Sequence, residues 1–361
     1  MRVGFLLGGL QGNGGIGRVT SLVAEELDKR HDITVITYGP YDSNTALYHF
    51  PQSVRIISLN QTGSMKSYIL NGGIRKLREV IINNNLQIVI ACGALFFPIC
   101  VFSRIGTIAR VICWEHSNAN NMSDHSFQML CRRCGAKMAD AVVTITKQDY
   151  EMFKQNMKPR LLRQIYNPVD DRIQYQYSVD NDPHRIISVG RLTYQKNYPL
   201  LINVAKVILS KYKNWSWDIY GEGSDRHIIE KLIFENGLTD RLILKGQVDN
   251  LYERYGEYSF YVITSRYEGF GMALVEANRA GLPIISFDVE CGPKEIINNG
   301  VNGLLIEPLN ENKMIEAISF LCDNREKCLE LSKNAKKEEN RFCIENIGNN
   351  WEKLFNELTV V

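Results

Sequence analysis

Four stretches of this 361-residue chain combine residue types and spacing that could do chemistry. The first is Gly12-Asn13-Gly14-Gly15-Ile16-Gly17-Arg18, whose positions 12, 14 and 17 fit G-x-G-x-x-G. Between a strand and a helix, such a loop lets backbone N–H groups approach a phosphate; a merely tight turn is the plainer alternative. The second is Trp114-Glu115-His116-Ser117-Asn118, just past an apolar run. An imidazole at a strand end can orient a hydroxyl or donate a hydrogen bond, although a lone histidine is more often structural. The third is Gly190-Arg191-Leu192-Thr193-Tyr194-Gln195-Lys196-Asn197. Two cations on one strand-to-helix loop can pincer a diphosphate, each charge-assisted hydrogen bond contributing ~1.5–3 kcal/mol. Asn197 is a suitable helix N-cap. The fourth is Glu268-Gly269-Phe270-Gly271-Met272-Ala273-Leu274-Val275-Glu276. Its glycines admit a ligand close to the backbone, and free N–H groups from about Gly271 to Leu274 suit a phosphate. Glu268 lies in the loop, within reach of sugar hydroxyls. Glu276 lies inside an otherwise apolar helix, where a carboxylate is costly unless it accepts hydrogen bonds; vicinal ribose hydroxyls would donate two. Solvated surface charges are the alternative for the third and fourth stretches.

The elements that must position these residues alternate short β-branched runs with helical periods. The first half predicts strands at Arg2–Leu7, Asp32–Tyr38, Val54–Leu59, Ile88–Ala91, Arg110–Trp114 and Ala141–Ile145. The helix Ile16–Lys29 carries Val19, Leu22, Val23 and Leu27 on one face. The second half predicts strands at Arg185–Val189, Trp215–Tyr220, Leu242–Lys245, Phe260–Thr264 and Pro283–Phe287, with a helix over Asn197–Tyr212. Such alternation specifies parallel sheets with right-handed crossovers. The expected organisation is a domain over 1–168, a second over 182–340, and a C-terminal helix at about 344–361 packing back on the first. The polar, proline-marked stretch from Asn167 to Pro183 joins them. Ligands bind at the carboxyl ends of strands in such sheets, and all four stretches fall there.

Composition narrows the function. Apolar residues make up 45% of the chain and charged residues 23%, as in an ordinary globular protein. The nine cysteines, an odd number mostly within apolar runs, read as buried thiols in a reducing compartment rather than a disulfide framework. Cys131-Arg-Arg-Cys134 has no second pair to complete a zinc site. Val3–Leu7 is too short for the apolar region of a secretory signal. The uncharged run Ile88–Phe102 is too short to span a bilayer and is interrupted by Gly93 and Pro98; a buried strand running into a buried helix explains it better. Residues 1–170 hold 19 Lys/Arg against 12 Asp/Glu, net +7, and residues 171–361 hold 23 against 28, net −5. The basic half, with Lys66, Arg75, Lys76, Arg78, Arg104, Arg110, Arg132, Arg133, Lys137, Lys158, Arg160 and Arg163, could face anionic lipid or a diphosphate-linked substrate. Runs of Lys/Arg interleaved with aromatics are missing, which disfavours nucleic acid. A dinucleotide reading of the first loop fails because Thr37, Tyr38 and Gly39, not an acid, close the second strand.

Taken together, the motifs resemble glycosyltransferase family 4, the retaining enzymes with two Rossmann-like doubly wound α/β domains facing a central cleft, known as GT-B. The resemblance rests on Gly14-Gly15, on Glu115-His116-Ser117-Asn118, on Gly190-Arg191 with Lys196-Asn197, and on Ser265-Arg266-Tyr267-Glu268-Gly269-Phe270-Gly271 through Glu276. Ala280-Gly281-Leu282-Pro283-Ile284-Ile285 and Gly300-Val301-Asn302-Gly303-Leu304-Leu305 add to it, so that it runs from residue 1 to about 310. The first loop departs from the family's Gly-Gly-Ala-Glu-Arg, reading Gly-Gly-Ile-Gly-Arg here, and loses its acid. Ser286 through Glu295 looks like members that build bacterial surface polysaccharides.

The resemblance implies that Arg191 and Lys196 bind the donor diphosphate, that Glu276 holds the ribose and that Glu268 contacts the donor sugar. It implies donor contacts from Gly190, Gly269, Phe270, Gly271, Met272, Ala273 and Leu274, with Gly15 under the diphosphate and His116 beside the sugar. His116, Arg191, Lys196 and Glu268 would carry the catalysis. The expected donor is a UDP-sugar, and the expected acceptor is a glycan or polyprenyl-diphosphate-linked glycan. No metal and no cofactor is expected, nor any nucleic-acid partner. The expected location is the cytoplasm, with peripheral contact at an anionic membrane face. The rivals are a nucleotide-sugar epimerase on the same architecture and an inactive nucleotide- or glycan-binding subunit.

Overall fold

Parallel strands buried on both faces must be apolar throughout, and Ile88–Cys92 is: all five residues are buried. The computed structural model describes residues 1–11, 15–48, 50–61, 72–117, 127–175, 177, 183–248, 251–337 and 339–359. The chain divides into two units, Met1–Pro168 together with the C-terminal segment from Phe342, and Val169–Arg341.

The first unit contains a seven-stranded parallel sheet: β1 (Arg2–Leu7), β2 (Asp32–Thr37), β3 (Arg55–Ser58), β4 (Ile88–Cys92), β5 (Arg110–Trp114), β6 (Ala141–Thr144) and β7 (Leu162–Gln164). Their order is β3-β2-β1-β4-β5-β6-β7, so the winding reverses between β1 and β4. Its helices are α1 (Gly15–Asp28), α2 (Gly73–Asn83), α3 (Phe97–Ser103), α4 (Phe127–Met138) and α5 (Lys147–Asn156). The apolar run from Ile88 is thus a buried strand followed by a short buried helix.

The second unit contains β8 (Arg185–Val189), β9 (Ser216–Tyr220), β10 (Leu242–Gly246), β11 (Phe260–Ile263), β12 (Ile284–Phe287) and β13 (Gly303–Ile306). They run in the order β10-β9-β8-β11-β12-β13, with the reversal between β8 and β11. The helices are α6 (Tyr198–Lys211), α7 (Arg226–Glu235), α8 (Met272–Arg279), α9 (Pro293–Ile296), α10 (Glu311–Asp323) and α11 (Arg325–Lys337). β7 and β13 were not expected from the sequence. β7 has only three residues, and β13 follows a bridged turn at Asn299–Gly303 whose pattern reads as loop.

The last helix, α12 (Ile344–Thr359), belongs to the first unit. It buries Ile347, Trp351, Leu354, Phe355 and Leu358, spaced as one helical stripe. A Cβ on Gly348 would lie 2.7 Å from Glu26 Cγ of α1, so glycine is what lets the two helices approach. His31 Nε2 sits 2.6 Å from Glu352 Oε1, and its ring meets Phe355 edge-on. All nine cysteines are free thiols, six of them buried. Among the described residues, no helix is long and apolar enough to cross a membrane.

Candidate active site

The strand order of the second unit explains why its motifs meet. β8 and β11 are neighbours, and the connections leaving them diverge to opposite faces of the sheet, which opens a crevice at their carboxyl ends. The loop after β8 carries Gly190 to Asn197, and the loop after β11 carries Thr264 to Gly271. Thr264 Oγ1 donates to Lys196 O at 3.1 Å, Arg266 N donates to Gln195 O at 2.8 Å, and Gln195 Nε2 donates to Tyr267 O at 3.0 Å. These bonds lock the two loops together.

Across that junction Lys196 Nζ lies 2.6 Å from Glu268 Oε1, with the side chains 12% and 5% exposed. Ser265 Oγ donates to the same carboxylate oxygen at 2.5 Å, and Gln195 Nε2 approaches the other at 3.5 Å. An ammonium has three N–H donors, so the pair with Glu268 leaves capacity for an anion. Arg191 is exposed and has no protein partner among the described residues. The two expected cations therefore differ in state, one held and one free.

Asn197 begins α6 as expected, but not by capping it. It adopts left-handed backbone, φ 55°, and its side-chain oxygen accepts from Arg266 Nη2 at 2.8 Å. Arg266 in turn stacks over Tyr194, 4.5 Å from the ring centre. The turn into α8 also differs in one detail. Leu274 N–H closes back on Gly271 O at 2.9 Å, so among the described residues the donors left at this helix start are those of Gly271, Met272 and Ala273. Gly271 has φ +89° and Gly292 φ +71°. A Cβ on Gly292 would stand 2.5 Å from Phe270 O, so the loop after β12 packs directly on the Glu268–Gly271 loop.

Glu276 is 6% exposed on α8 and accepts a 3.0 Å hydrogen bond from the buried Tyr255 hydroxyl. Two features here escaped sequence reasoning. One is Tyr255, which no spacing ties to Glu276. The other is Gly221-Glu222-Gly223 after β9. A Cβ on Gly221 would lie 2.1 Å from Gly190 O, and one on Gly223 would lie 2.3 Å from Leu192 O. This Gly-x-Gly at a strand end was a visible signal: it lets the β9 loop support the Gly190–Leu192 backbone.

In the first unit, His116 follows β5. Its Nε2 is out of solvent and has no hydrogen-bond partner among the described residues, and burial pushes its pKa down to about 3. Its ring lies 4.2 Å from that of Trp114, which meets Trp351 of α12 at 4.9 Å. Glu115, fully buried, fixes the loop. Its Oε1 accepts from His116 N (3.1 Å), Ser117 N (3.0 Å) and Ser117 Oγ (2.7 Å), and its Oε2 accepts from Arg132 Nε (2.8 Å). Arg132 is 1% exposed, so it belongs to no basic surface.

Four of the other expected surface cations are also paired with carboxylates. Arg104 and Arg110 converge on Asp140, Arg163 pairs with Glu357, and Arg75 lies 3.7 Å from Glu79. Arg133, Lys137, Lys158 and Arg160 are exposed, and Lys66 lies outside the described residues. Glu79 and Asp140 are already counted in the net +7 of residues 1–170, so of these pairs only the one with Glu357 lowers the basic excess. Gly12, Gly14 and Asn118 also lie outside the described residues. Gly15 opens α1, and a Cβ there would meet nothing within 4 Å. Gly17 is explained by packing, since a Cβ there would sit 2.8 Å from the Tyr48 ring.

Comparison with known proteins gives the same two-part division. A family model for Glycosyltransferase Family 4 matches residues 13–172, and one for Glycosyl transferases group 1 matches residues 169–338. An uncharacterised glycosyltransferase of Haemophilus influenzae is 24% identical over 351 residues, 97% of this chain and 98% of its own length. The poly(ribitol-phosphate) alpha-N-acetylglucosaminyltransferase of Staphylococcus aureus is 32% identical over 46% of this chain, which spans 34% of that protein's length. The Anabaena HepE structure in complex with UDP-glucose superposes with a TM-score of 0.84 at 18% identity, covering 99% of this chain and 100% of that one. At that identity the likeness shows a shared fold.

Proposed function

The chain belongs to the glycosyltransferases, matched from residue 13 to 338 by the family 4 and group 1 domains, and from that premise we propose a retaining transferase that uses a UDP-sugar. Its acceptor would be a glycan or polyprenyl-diphosphate-linked glycan of a bacterial surface polysaccharide. The observation that carries this reading is the Lys196–Glu268 pair at the β8/β11 switch, flanked by the free Arg191 and the open N–H groups of Gly271–Ala273. That set offers two cations and a helix start to a diphosphate, and a carboxylate to sugar hydroxyls. The S. aureus relative is named as an alpha-N-acetylglucosaminyltransferase, and HepE binds UDP-glucose, both in keeping with an activated-sugar donor.

In this mechanism the bond between the donor's anomeric carbon and the diphosphate oxygen breaks, and negative charge grows on the departing nucleoside diphosphate. Lys196 and Arg191 stabilise that charge more in the transition state than in the ground state, which is what lowers the barrier. The acceptor oxygen bonds to the same face of the anomeric carbon, and its proton passes to the leaving phosphate oxygen. Cations of the protein thereby do the work a metal would otherwise do. Glu276 holds the ribose, Glu268 a donor-sugar hydroxyl, and the backbone at Gly190, Gly269, Phe270 and Leu274 lines the donor. His116, neutral with a pKa of about 3, serves as a hydrogen-bond partner of the sugar rather than as a proton shuttle. Gly15 would lie under the diphosphate. The exposed Arg133, Lys137, Lys158 and Arg160 would meet an anionic membrane face.

The test is product analysis with radiolabelled UDP-glucose, UDP-galactose, UDP-N-acetylglucosamine and UDP-N-acetylgalactosamine, with and without bacterial lipid-linked oligosaccharides, in EDTA. Label moving into the lipid fraction with an α-linkage supports the reading. Conversion of one UDP-sugar into its epimer without acceptor would replace it with the epimerase.

A further inference from the structure

We propose that the end of the first unit's sheet where its strands begin docks on an anionic lipid surface, with Ile105 and Ile108 inserting among the headgroups. This docking deepens the reading of a lipid-linked acceptor, and it rests on that reading for its purpose, not for its residues. Parallel strands all begin at one end of a sheet. The turns entering β4 to β7, residues 84–87, 104–109, 139–140 and 157–161, therefore line one edge. Among the described residues six large apolar side chains of the first unit are exposed, and four of them gather at this edge: Ile82 at the end of α2, Ile105 and Ile108 before β5, and Met138 at the end of α4. Ile105 is 55% exposed and Ile108 76%.

Hydrogen bonds join these residues into one patch. Arg78, one turn before Ile82 on α2, donates to Ile105 O. Arg104 Nη2 donates to Met138 O at 2.8 Å. Thr107 Oγ1 donates to Arg104 O at 2.7 Å and accepts from Ala109 N at 3.2 Å, so the turn that presents the two isoleucines is pinned from within as well. Apolar side chains exposed singly are ordinary, but four on one edge mark a contact surface.

Charge selects the occupant. Across the four turns Asp140 is the one acid; it is buried and shared by Arg104 at 2.6 Å and Arg110 at 3.3 Å. Lys137, Lys158 and Arg160 are exposed along the same edge, and Glu79 on α2 faces Arg75 at 3.7 Å. An apolar centre with a basic rim matches the boundary between anionic headgroups and acyl chains. A second copy of the chain does not match it, because a two-fold contact would set basic rim against basic rim. Ile108 and His116 flank the five residues of β5, so docking holds the His116 loop about 17 Å from the surface, at a height that a glycan carried on a lipid can span.

The experiment co-sediments the full chain with vesicles of phosphatidylcholine alone or of equimolar phosphatidylcholine and phosphatidylglycerol, with melting and UDP calorimetry on each variant. Wild type should bind the anionic vesicles and leave the neutral ones. Ile105→Ser/Ile108→Ser should weaken that binding about 10-fold at an unchanged melting temperature. Lys137→Gln/Lys158→Gln should weaken it about 25-fold at low salt, about fivefold per cation. Phe234→Ser, at an exposed position on α7 of the second unit, should leave it unchanged. Full binding by the isoleucine variant, an equal loss in Phe234→Ser, or equal binding to neutral vesicles would overturn the docking. So would a wild-type dimer in sedimentation that the isoleucine variant dissolves while vesicle binding persists, which would give the edge to a second copy. If the double variant does not fold, Ile108→Ser alone carries the test, with about a threefold loss expected. UDP binding without vesicle binding would overturn the docking alone, whereas vesicle binding without UDP binding would overturn the transferase reading and leave the docking standing.

Discussion

Replacing Lys196 by alanine separates the charge that binds a ligand from the charge that holds the loops. Its ammonium lies 2.6 Å from Glu268 Oε1, with little of either side chain exposed. Removing one partner of a well-buried pair typically costs ~3–5 kcal/mol, because the other is left without compensation. Here Ser265 and Gln195 still reach the carboxylate, so the expected loss is smaller, ~1.5–3 kcal/mol, the size of one hydrogen bond to a charged group. Binding should fall for a separate reason. Each lost bond from the ammonium to a phosphate oxygen is also worth ~1.5–3 kcal/mol, which corresponds to ~10- to 150-fold in UDP affinity. The assay is UDP calorimetry alongside thermal melting for Lys196→Ala and for Lys196→Ala/Glu268→Ala. The double substitution removes the stranded carboxylate, so the melting temperature should recover while UDP affinity stays low. A Lys196→Ala protein that melts early but binds UDP within about threefold of wild type would refute the reasoning and leave Lys196 as a structural partner of Glu268.

Other consequences follow from the same geometry. His116 has its pKa lowered from 6.5 to about 3, so the unfolded chain binds a proton before the folded one does, and stability should fall as pH drops from 6.5 toward 3 at up to ~1.4 kcal/mol per unit. Melting temperatures over that range should show a shallower slope for His116→Asn, and an equal slope would contradict a neutral imidazole whose Nε2 is out of solvent. Arg132→Met leaves Glu115 buried without its cation and should cost ~3–5 kcal/mol in denaturant unfolding, much of it restored by Glu115→Gln in the same chain. Gly221→Ala would place a methyl 2.1 Å from Gly190 O at φ +135°, so it should weaken UDP binding by moving the Gly190–Leu192 backbone; unchanged affinity would mean the β9 loop does not support the site.

Much of the fold was legible because parallel strands and amphipathic helices write their period into the sequence. The central strands with fully buried faces, such as Ile88–Cys92, were plain. β7 and β13 were missed because three- and four-residue edge strands take their pairing from a neighbour rather than from their own pattern. The site divides the same way. Lys196 and Glu268 lie 72 residues apart, yet each sits in a Gly-marked loop at a strand end, and the strand order brings those loops together. Tyr255 carries no such mark, since a buried tyrosine in a polar turn looks like any other core aromatic. Arg132 misled for the converse reason: in Cys131-Arg-Arg-Cys134 nothing distinguishes the arginine that turns inward to Glu115 from Arg133, which is exposed.

The central claim is that the second unit binds a nucleoside-diphosphate sugar through side chains of the protein. A thermal-shift panel in EDTA with UDP, GDP, ADP, NAD, UDP-glucose, UDP-galactose and both UDP-N-acetylhexosamines tests it most directly. A ligand at 100 times its Kd adds ~2.7 kcal/mol, enough to raise the melting temperature by a few degrees. Stabilisation by UDP, and by one UDP-sugar above the others, is the predicted result. Stabilisation by NAD alone, or by no nucleotide in the panel, would contradict the account.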